Sequence, residues 1–400
     1  MLDAYIYEGL RSPFGRHGGV LAPVRSDNMA AEVIRAVVER APFSPEQYED
    51  VILGCTNQAG EDSRNVGRHA ALLSGFPQEV AGRTVNRLCA SGLQAVVDAA
   101  RAVTCGEGEL FVAGGVESMS RAPFVMGKSE KAYSRDVRVF DSTIGSRFPN
   151  PRIVERFGND SMPQTGDNVA RELGISREAA DRFAYRSQQC YEKARADGFF
   201  SGEIHPLMVP AGRKKPPVEV SADEHPRPES DLDKLARLPA LFEGGVVTAG
   251  NASGVNDGAG ALIVGSRAVG EKVGAEPMVR LVSAACAGVE PRVMGLGPVY
   301  ASRKALDRAG LSLSDMDVIE INEAFASQVL GCLKLLELPE DDERVNPNGG
   351  AIAVGHPLGA SGARLALTAA RELDRREGRY ALVTLCIGVG QGLAAILERV

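Results

Sequence analysis

The chain has 400 residues, 44% of them hydrophobic and 24% charged, with a formal net charge of -7. That length exceeds one ordinary core and calls for two or three domains of a soluble globular protein. An acidic balance with no general basic face excludes nucleic acid as a main partner and leaves only local basic contacts for an anionic ligand. The 7 cysteines, at 55, 89, 105, 190, 286, 332 and 386, form no C-x-x-C pair. Such spacing argues against a disulfide framework or a metal site and fits a reducing cytoplasm. Residues 1–30 hold Arg11, Pro13 and Arg16 in place of an apolar signal core, and no stretch reaches membrane-spanning length.

In chain order, residues 4–7 read as a strand, 28–40 as a helix, 50–54 as a buried strand, 91–104 as a helix and 110–113 as a strand. A stretch of different character follows, 119–249, with a basic run at 128–138, the turn Pro149-Asn150-Pro151, a helix-like 176–197 and a polar, proline-rich 212–233. An insertion this long on a compact scaffold is more often functional than idle. Residues 251–258 are dense in turn-formers and read as a loop. The alternation then resumes: strand 279–284, helix 298–309, strand 318–321, helix 362–373, strand 380–385.

The second series repeats the first. Residues 89–118 align with 359–388 at a constant offset of 270, without a gap. Ala90-Ser91-Gly92 falls on Ala360-Ser361-Gly362, Ala99-Ala100-Arg101 on Ala369-Ala370-Arg371, and Glu107-Gly108 on Glu377-Gly378. Preserved order at constant offset indicates a duplicated domain. The predicted fold is therefore α/β, with two related parallel or mixed sheets sharing a layer of helices. The domains are expected at 1–118 plus 250–272, at 119–249 for the insert, and at 273–400.

Three side chains in glycine-rich turns carry the chemistry. Cys89, in Asn86-Arg87-Leu88-Cys89-Ala90-Ser91-Gly92, precedes a helix whose free N–H groups would lower a thiol pKa and hold an oxyanion. His356, in Gly355-His356-Pro357-Leu358-Gly359, sits in the repeat mate of that turn, where Pro357 fixes the chain. Cys386 ends a strand and is followed by Gly388, Gly390 and Gly392, a spacing that brings backbone N–H groups close to a ligand. Two thiols and an imidazole suit acyl transfer on thioesters. Asn322 follows a strand, either placing a polar ligand or capping a helix. Glu117 takes the mirror position in the first half.

Together these segments resemble the thiolase family, from Arg11-Ser12-Pro13-Phe14-Gly15 to the terminal glycine motif. The resemblance implies two similar halves in a five-layer αβαβα arrangement with an inserted loop domain, assembled as a homodimer or homotetramer. It implies no permanent cofactor, coenzyme A as co-substrate, and cleavage of a 3-oxoacyl-CoA. By the same resemblance Cys89 is the acyl-accepting nucleophile, His356 its activator and Cys386 the acid/base at carbon. Asn322 would hold a water beside His356 in one oxyanion hole, and the N–H groups of Cys89 and Gly388 would form the other. Ser253, Arg227 and Met162 would contact CoA and the acyl channel. Phe157-Gly158-Asn159-Asp160-Ser161-Met162-Pro163 looks like the members acting on 3-oxoadipyl-CoA, with Arg147 or Arg152 as a candidate partner for the extra carboxylate. One departure stands out: Val389 occupies a place where many relatives have glycine.

Overall fold

The computed structural model describes every residue except Arg213, one position of the proline-rich stretch. Among the described residues ten strands join in one mixed sheet. In chain order its main strands are β1 (Ala4–Arg11), β2 (Asp50–Gly54), β3 (Ala81–Val85), β4 (Leu110–Ser118), β5 (Asn256–Gly265), β6 (Val279–Gly288), β7 (Val318–Ile321), β8 (Tyr380–Ile387) and β9 (Gln391–Arg399). They lie side by side as β7-β8-β9-β6-β1-β5-β4-β2-β3.

The duplication is visible in this order. Outward from the middle, the first half runs β1-β5-β4-β2-β3 with two antiparallel pairings followed by two parallel ones. The second half runs β6-β9-β8-β7 with antiparallel, antiparallel and parallel pairings. A parallel bridge from Ile319 to Val345 stands where the fifth strand would be. The two expected sheets are continuous, because Ala4 to Ile6 pair with Leu281 to Val279 across the seam.

Side-chain alternation along each strand separates the layers. Ile52 faces inward while Val51 and Leu53 face outward, and Val318 and Ile319 divide in the same way. The inward faces bury helices Ser91–Cys105 and Leu358–Arg376 in one shared core, through Leu93, Val96, Leu365 and Leu373. Helix Ser26–Arg40 covers the outer face of the first half through Met29, Val33 and Val37. Helices Gly297–Ala309 and Ala326–Leu335 cover that of the second. Five layers result, helix, sheet, helix, sheet, helix, as expected.

The two central helices touch backbone to backbone at their N-termini. A Cβ on Gly92 would stand 2.5 Å from the Gly359 carbonyl oxygen, and one on Gly362 would stand 2.2 Å from the Leu93 nitrogen. Only glycine allows that approach, and it draws the Cys89 turn and the His356 loop together.

Several expectations needed correction. Residues 256–258, read as loop, open β5, which is buried throughout. Its turn-formers are there for space: a Cβ on Gly258 would meet the Phe14 ring at 2.4 Å. Strand β3 was missed because its sequence, Ala-Gly-Arg-Thr-Val, is polar and lies at the sheet edge.

Between β4 and β5 the chain forms a hairpin, Phe124–Met126 with Val139–Asp141, then helices Pro151–Phe157, Met162–Leu173 and Arg177–Ala196. Buried Arg11, at the end of β1, fastens this excursion to the scaffold. Its guanidinium donates to Glu203 and, at 2.6 and 2.9 Å, to both oxygens of Asp223. Burying three charges is tolerable only because each is paired and hydrogen-bonded.

Candidate active site

Parallel strands β2 and β4 end at Gly54 and Ser118, and β7 and β8 end at Ile321 and Ile387. Ligands of open α/β sheets bind beyond such carboxyl ends. Glu117 and Cys386 sit at the last turns of β4 and β8, Asn322 follows β7, and Cys89 follows β3.

Cys89 is half-buried on a tight turn. Leu88 takes φ +46°, a left-handed conformation rare for a branched side chain, held by its N–H donating to Asn86 Oδ1 at 3.0 Å. Ser91 Oγ accepts from the Arg87 N–H at 2.8 Å and donates to the Leu88 carbonyl at 2.6 Å. The Gly388 backbone N–H reaches the Cys89 sulfur from the second half, and together with the N–H of Cys89 itself it favours the thiolate. Burial outweighs both and pushes the thiol up to about 11. The expectation of a thiol acidified by its helix N-terminus is therefore corrected: desolvation wins, and the resting group is a neutral thiol.

His356 is buried, and both ring nitrogens have partners. Ser361 Oγ donates to the Pro357 carbonyl at 2.9 Å, so toward Nδ1 at 2.6 Å it acts as acceptor. That assigns the ring proton to Nδ1 and leaves the Nε2 lone pair facing Asn322 Nδ2 at 3.3 Å. The Asn322 carbonyl oxygen is buried without a partner. The His356 N–H donates to Asn256 Oδ1 at 2.9 Å, and Gly355 at φ +105° packs so tightly on Asn256 that a Cβ would lie 2.6 Å from its amide. Burial, aided by the Arg364 charge, lowers the imidazole to about 3 and keeps it neutral.

Cys386 is fully buried among Val247, Met294, Ala324 and Phe325, with Met162 packed on the group. Burial first, then the charges of Cys89 and Cys332, raise its thiol well above the usual range. A thiolate on one of Cys89 and Cys386 thus opposes a thiolate on the other, an arrangement suited to passing one proton at a time. A Cβ on Gly388 would lie 3.3 Å from Leu88 Cδ1 and 3.9 Å from Met162 Sδ, so this turn closes over the Cys89 turn.

Ser253 lies beside the Asn322 loop, its N–H donating to the Ala324 carbonyl at 3.0 Å. Arg227 is farther out, on the wall of a cavity of about 140 Å³ shared with Gln188, His225 and Lys234. The two positions connect through His225, against whose ring a Cβ on Gly254 would sit at 2.3 Å. Glu117 is a clasp: its carboxylate accepts from the N–H groups of Thr56, Asn57 and Gly359 at 3.0, 3.1 and 3.0 Å. It ties β4 to the start of the helix that follows His356. Among the described residues no group of three or more His, Cys, Asp or Glu is arranged to hold a metal ion.

The family model described as "Thiolase, N-terminal domain" matches residues 4–268, and "Thiolase, C-terminal domain" matches 275–399. The chain belongs to the thiolase family. It is 59% identical, over the full length of both chains, to the Escherichia coli "3-oxoadipyl-CoA/3-oxo-5,6-dehydrosuberyl-CoA thiolase". It is 53% identical, again with both chains fully covered, to a "Beta-ketoadipyl-CoA thiolase" of Acinetobacter baylyi. The crystal structure of human mitochondrial 3-ketoacyl-CoA thiolase superposes with a TM-score of 0.92 at 38% identity, covering 100% of this chain and 99% of that one.

Within the thiolase halves, Ser361 and Asn256 are the residues whose roles the sequence hid. Ser361 was visible only as the repeat mate of Ser91, and each serine turns out to fix the turn that precedes its helix. Asn256 gave no signal beyond belonging to a turn-rich run. Val389 adopts φ +65° and is 62% exposed, so the β-branched residue at this departure sits in a conformation that glycine would take at no cost.

Proposed function

We propose that the chain catalyses reversible cleavage of 3-oxoadipyl-CoA by CoA to acetyl-CoA and succinyl-CoA, by a ping-pong route through an acyl group on Cys89. What carries the reading is the meeting of two neutral thiols, Cys89 and Cys386, with the Gly388 N–H directed at the first sulfur. The substrate follows from the relatives named for 3-oxoadipyl-CoA and β-ketoadipyl-CoA.

In this mechanism His356 Nε2 takes the Cys89 proton as the sulfur attacks the C3 carbonyl, so no free thiolate has to form at Cys89 beforehand. The N–H groups of Cys89 and Gly388 receive the oxyanion at C3. The C2–C3 bond then breaks, its electron pair passes to the acetyl-CoA enolate, and Cys386 protonates C2. The enolate oxygen is stabilised by the His356 Nε2–H formed in the first step, with a water on the Asn322 amide. CoA then gives its thiol proton to Cys386 and takes the succinyl group from Cys89, whose departing sulfur recovers the proton held on His356 Nε2. Ser253, Arg227 and Met162 bind CoA and its pantetheine arm, with no permanent cofactor.

The same reading divides the chain at 1–118 plus 250–272, 119–249 and 273–400, and places it in the cytoplasm; no helix is long and apolar enough to cross a membrane. It also makes the protein a homodimer or homotetramer. The open edge of β3 and the exposed Phe124, Met126 and Val139 of the hairpin offer two separate surfaces for assembly. Light scattering on a sizing column reads the state.

Steady-state kinetics on acetoacetyl-CoA, 3-oxohexanoyl-CoA and 3-oxoadipyl-CoA test the function. A preference for the last is expected. Equal or better cleavage of acetoacetyl-CoA makes the chain a general 3-ketoacyl-CoA or acetoacetyl-CoA thiolase. No acyl adduct on the Cys89 peptide after acetyl-CoA incubation would leave only a CoA- or lipid-binding relative.

A further inference from the structure

A 3-oxoadipyl chain ends in a carboxylate only three carbon–carbon bonds, each about 1.5 Å, beyond the carbon that Cys89 attacks. A group that distinguishes this chain from its methyl-ended analogue must therefore reach close to the Cys89 turn. A buried carboxylate also needs a charged, hydrogen-bonding partner, for which the planar fork of arginine is suited.

Several arginines of the insert and the nearby turns are already engaged. Arg292 pairs with Asp160 at 2.9 Å, Arg121 donates to both oxygens of Glu61, and Arg87 donates to Gln391 at 3.3 Å. Arg156 lies over the Phe157 ring at 4.9 Å. Arg152 is exposed in the first turn of its helix. Arg147 differs. Its Nη2 donates to the Ser142 carbonyl at 2.6 Å, which fixes the guanidinium, while its Nε is buried with no partner. A buried, unpartnered donor of a charged group is costly unless something accepts from it.

The contacts around Arg147 link it to two groups that surround Cys89, the Glu117 clasp and the Met162 segment. Ser142 Oγ accepts from Asn57 Nδ2 at 3.3 Å, and the Asn57 N–H donates to Glu117, whose charge acts on Cys89. On its other flank, Ser146 donates to Asn159 at 3.2 Å, just before Met162, which packs against the Gly388 turn. Arg147 is thus bracketed between the Cys89 clasp and the Met162 loop. The adjacent carboxylate Asp141 accepts from the Thr143 N–H at 2.8 Å.

We propose that Arg147 is the specificity-determining residue that binds the distal carboxylate of the acyl chain, through its Nε–H and the nitrogen left free by Ser142. The assignment rests on the 3-oxoadipyl-CoA reading. It assigns the choice of acid over alkyl chain to one cation held in place by a backbone carbonyl.

The test is the ratio of kcat/KM for 3-oxoadipyl-CoA to that for 3-oxohexanoyl-CoA, in wild type, Arg147→Met and Arg147→Lys. The ratio should fall about 100-fold in Arg147→Met, the loss expected for one charge-assisted contact, and be partly restored in Arg147→Lys. Mass spectrometry of Cys89 with succinyl-CoA and with butyryl-CoA reads the same choice in a half-reaction that needs no carbon–carbon cleavage. If wild type favours the acid and Arg147→Met keeps that preference, or loses both substrates in parallel, Arg147 is a structural clip and the proposal fails while the substrate reading stands. If wild type shows no preference, the substrate reading fails and takes the proposal with it.

Discussion

The Cys89 turn and the His356 loop occupy matching places in two copies of one fold, yet they are built to opposite ends. The first leaves its cysteine only half-buried on a strained turn, its sulfur met by an N–H from the other half. The second buries its imidazole, bonds both ring nitrogens and pins the backbone on Asn256. In the proposed mechanism the first is a nucleophile, which substrate must approach, and the second a base, which must be aimed. Duplication supplied the position twice, and packing decided which job each copy does.

Removing Cys89 should have the largest effect. Cys89→Ser is expected to lower turnover on the order of 10⁴-fold or more and to abolish the acyl adduct seen by mass spectrometry. Retained turnover would move the nucleophile elsewhere. Cys386→Ser separates the two chemical steps: acylation of Cys89 by acetyl-CoA should persist, while cleavage and condensation fall roughly 10³-fold. Equal loss of acylation would mean that Cys386 supports the first thiol and does not move the proton at carbon.

A neutral resting thiol makes a further contrast with catalysis by a preformed thiolate. With the Cys89 thiol pushed up to about 11, thiolate is scarce at neutral pH and grows tenfold per unit below that value. Iodoacetamide labelling of Cys89 in the free enzyme should therefore accelerate roughly 100-fold between pH 7 and pH 9. A rate already flat above pH 7 would show that the helix N-terminus and the Gly388 N–H overcome burial after all.

That contrast marks the limit of what the sequence disclosed. The repeat at offset 270, the glycine-rich turns and the strand–helix alternation were enough to find both halves and to bring Cys89, His356 and Cys386 into view. They could not show that the two central helices meet backbone to backbone at Gly92 and Gly359, because small residues look alike in any loop. Nor could they weigh a helix terminus against desolvation, since burial belongs to the whole fold. Asn256 and Ser361 escaped for a related reason: each acts through one hydrogen bond to a residue whose place is set by distant chain.

Ser361→Ala probes the aimed partner more gently. It removes the acceptor that keeps the His356 proton on Nδ1, and kcat should fall about tenfold with KM little changed, as for other groups that orient a catalytic side chain. A change confined to KM would assign Ser361 to packing. Ser361→Thr, which keeps the hydroxyl, should recover most of the rate.

The smallest effect belongs to the turn that carries Gly388 over Cys89. Val389 holds φ +65° with its side chain mostly in solvent, so it suffers left-handed strain and gains little burial in return. Val389→Gly removes that strain and gives back part of the gain as extra freedom in the unfolded chain. The balance is a stabilisation of about 1 kcal/mol, readable in denaturant melts, with activity within about threefold of wild type. If Val389→Gly is stabilised but acylates Cys89 much more slowly, the strain itself holds the Gly388 N–H on the sulfur. Cys89 would then be flanked by two strained residues, Leu88 and Val389, one from each half.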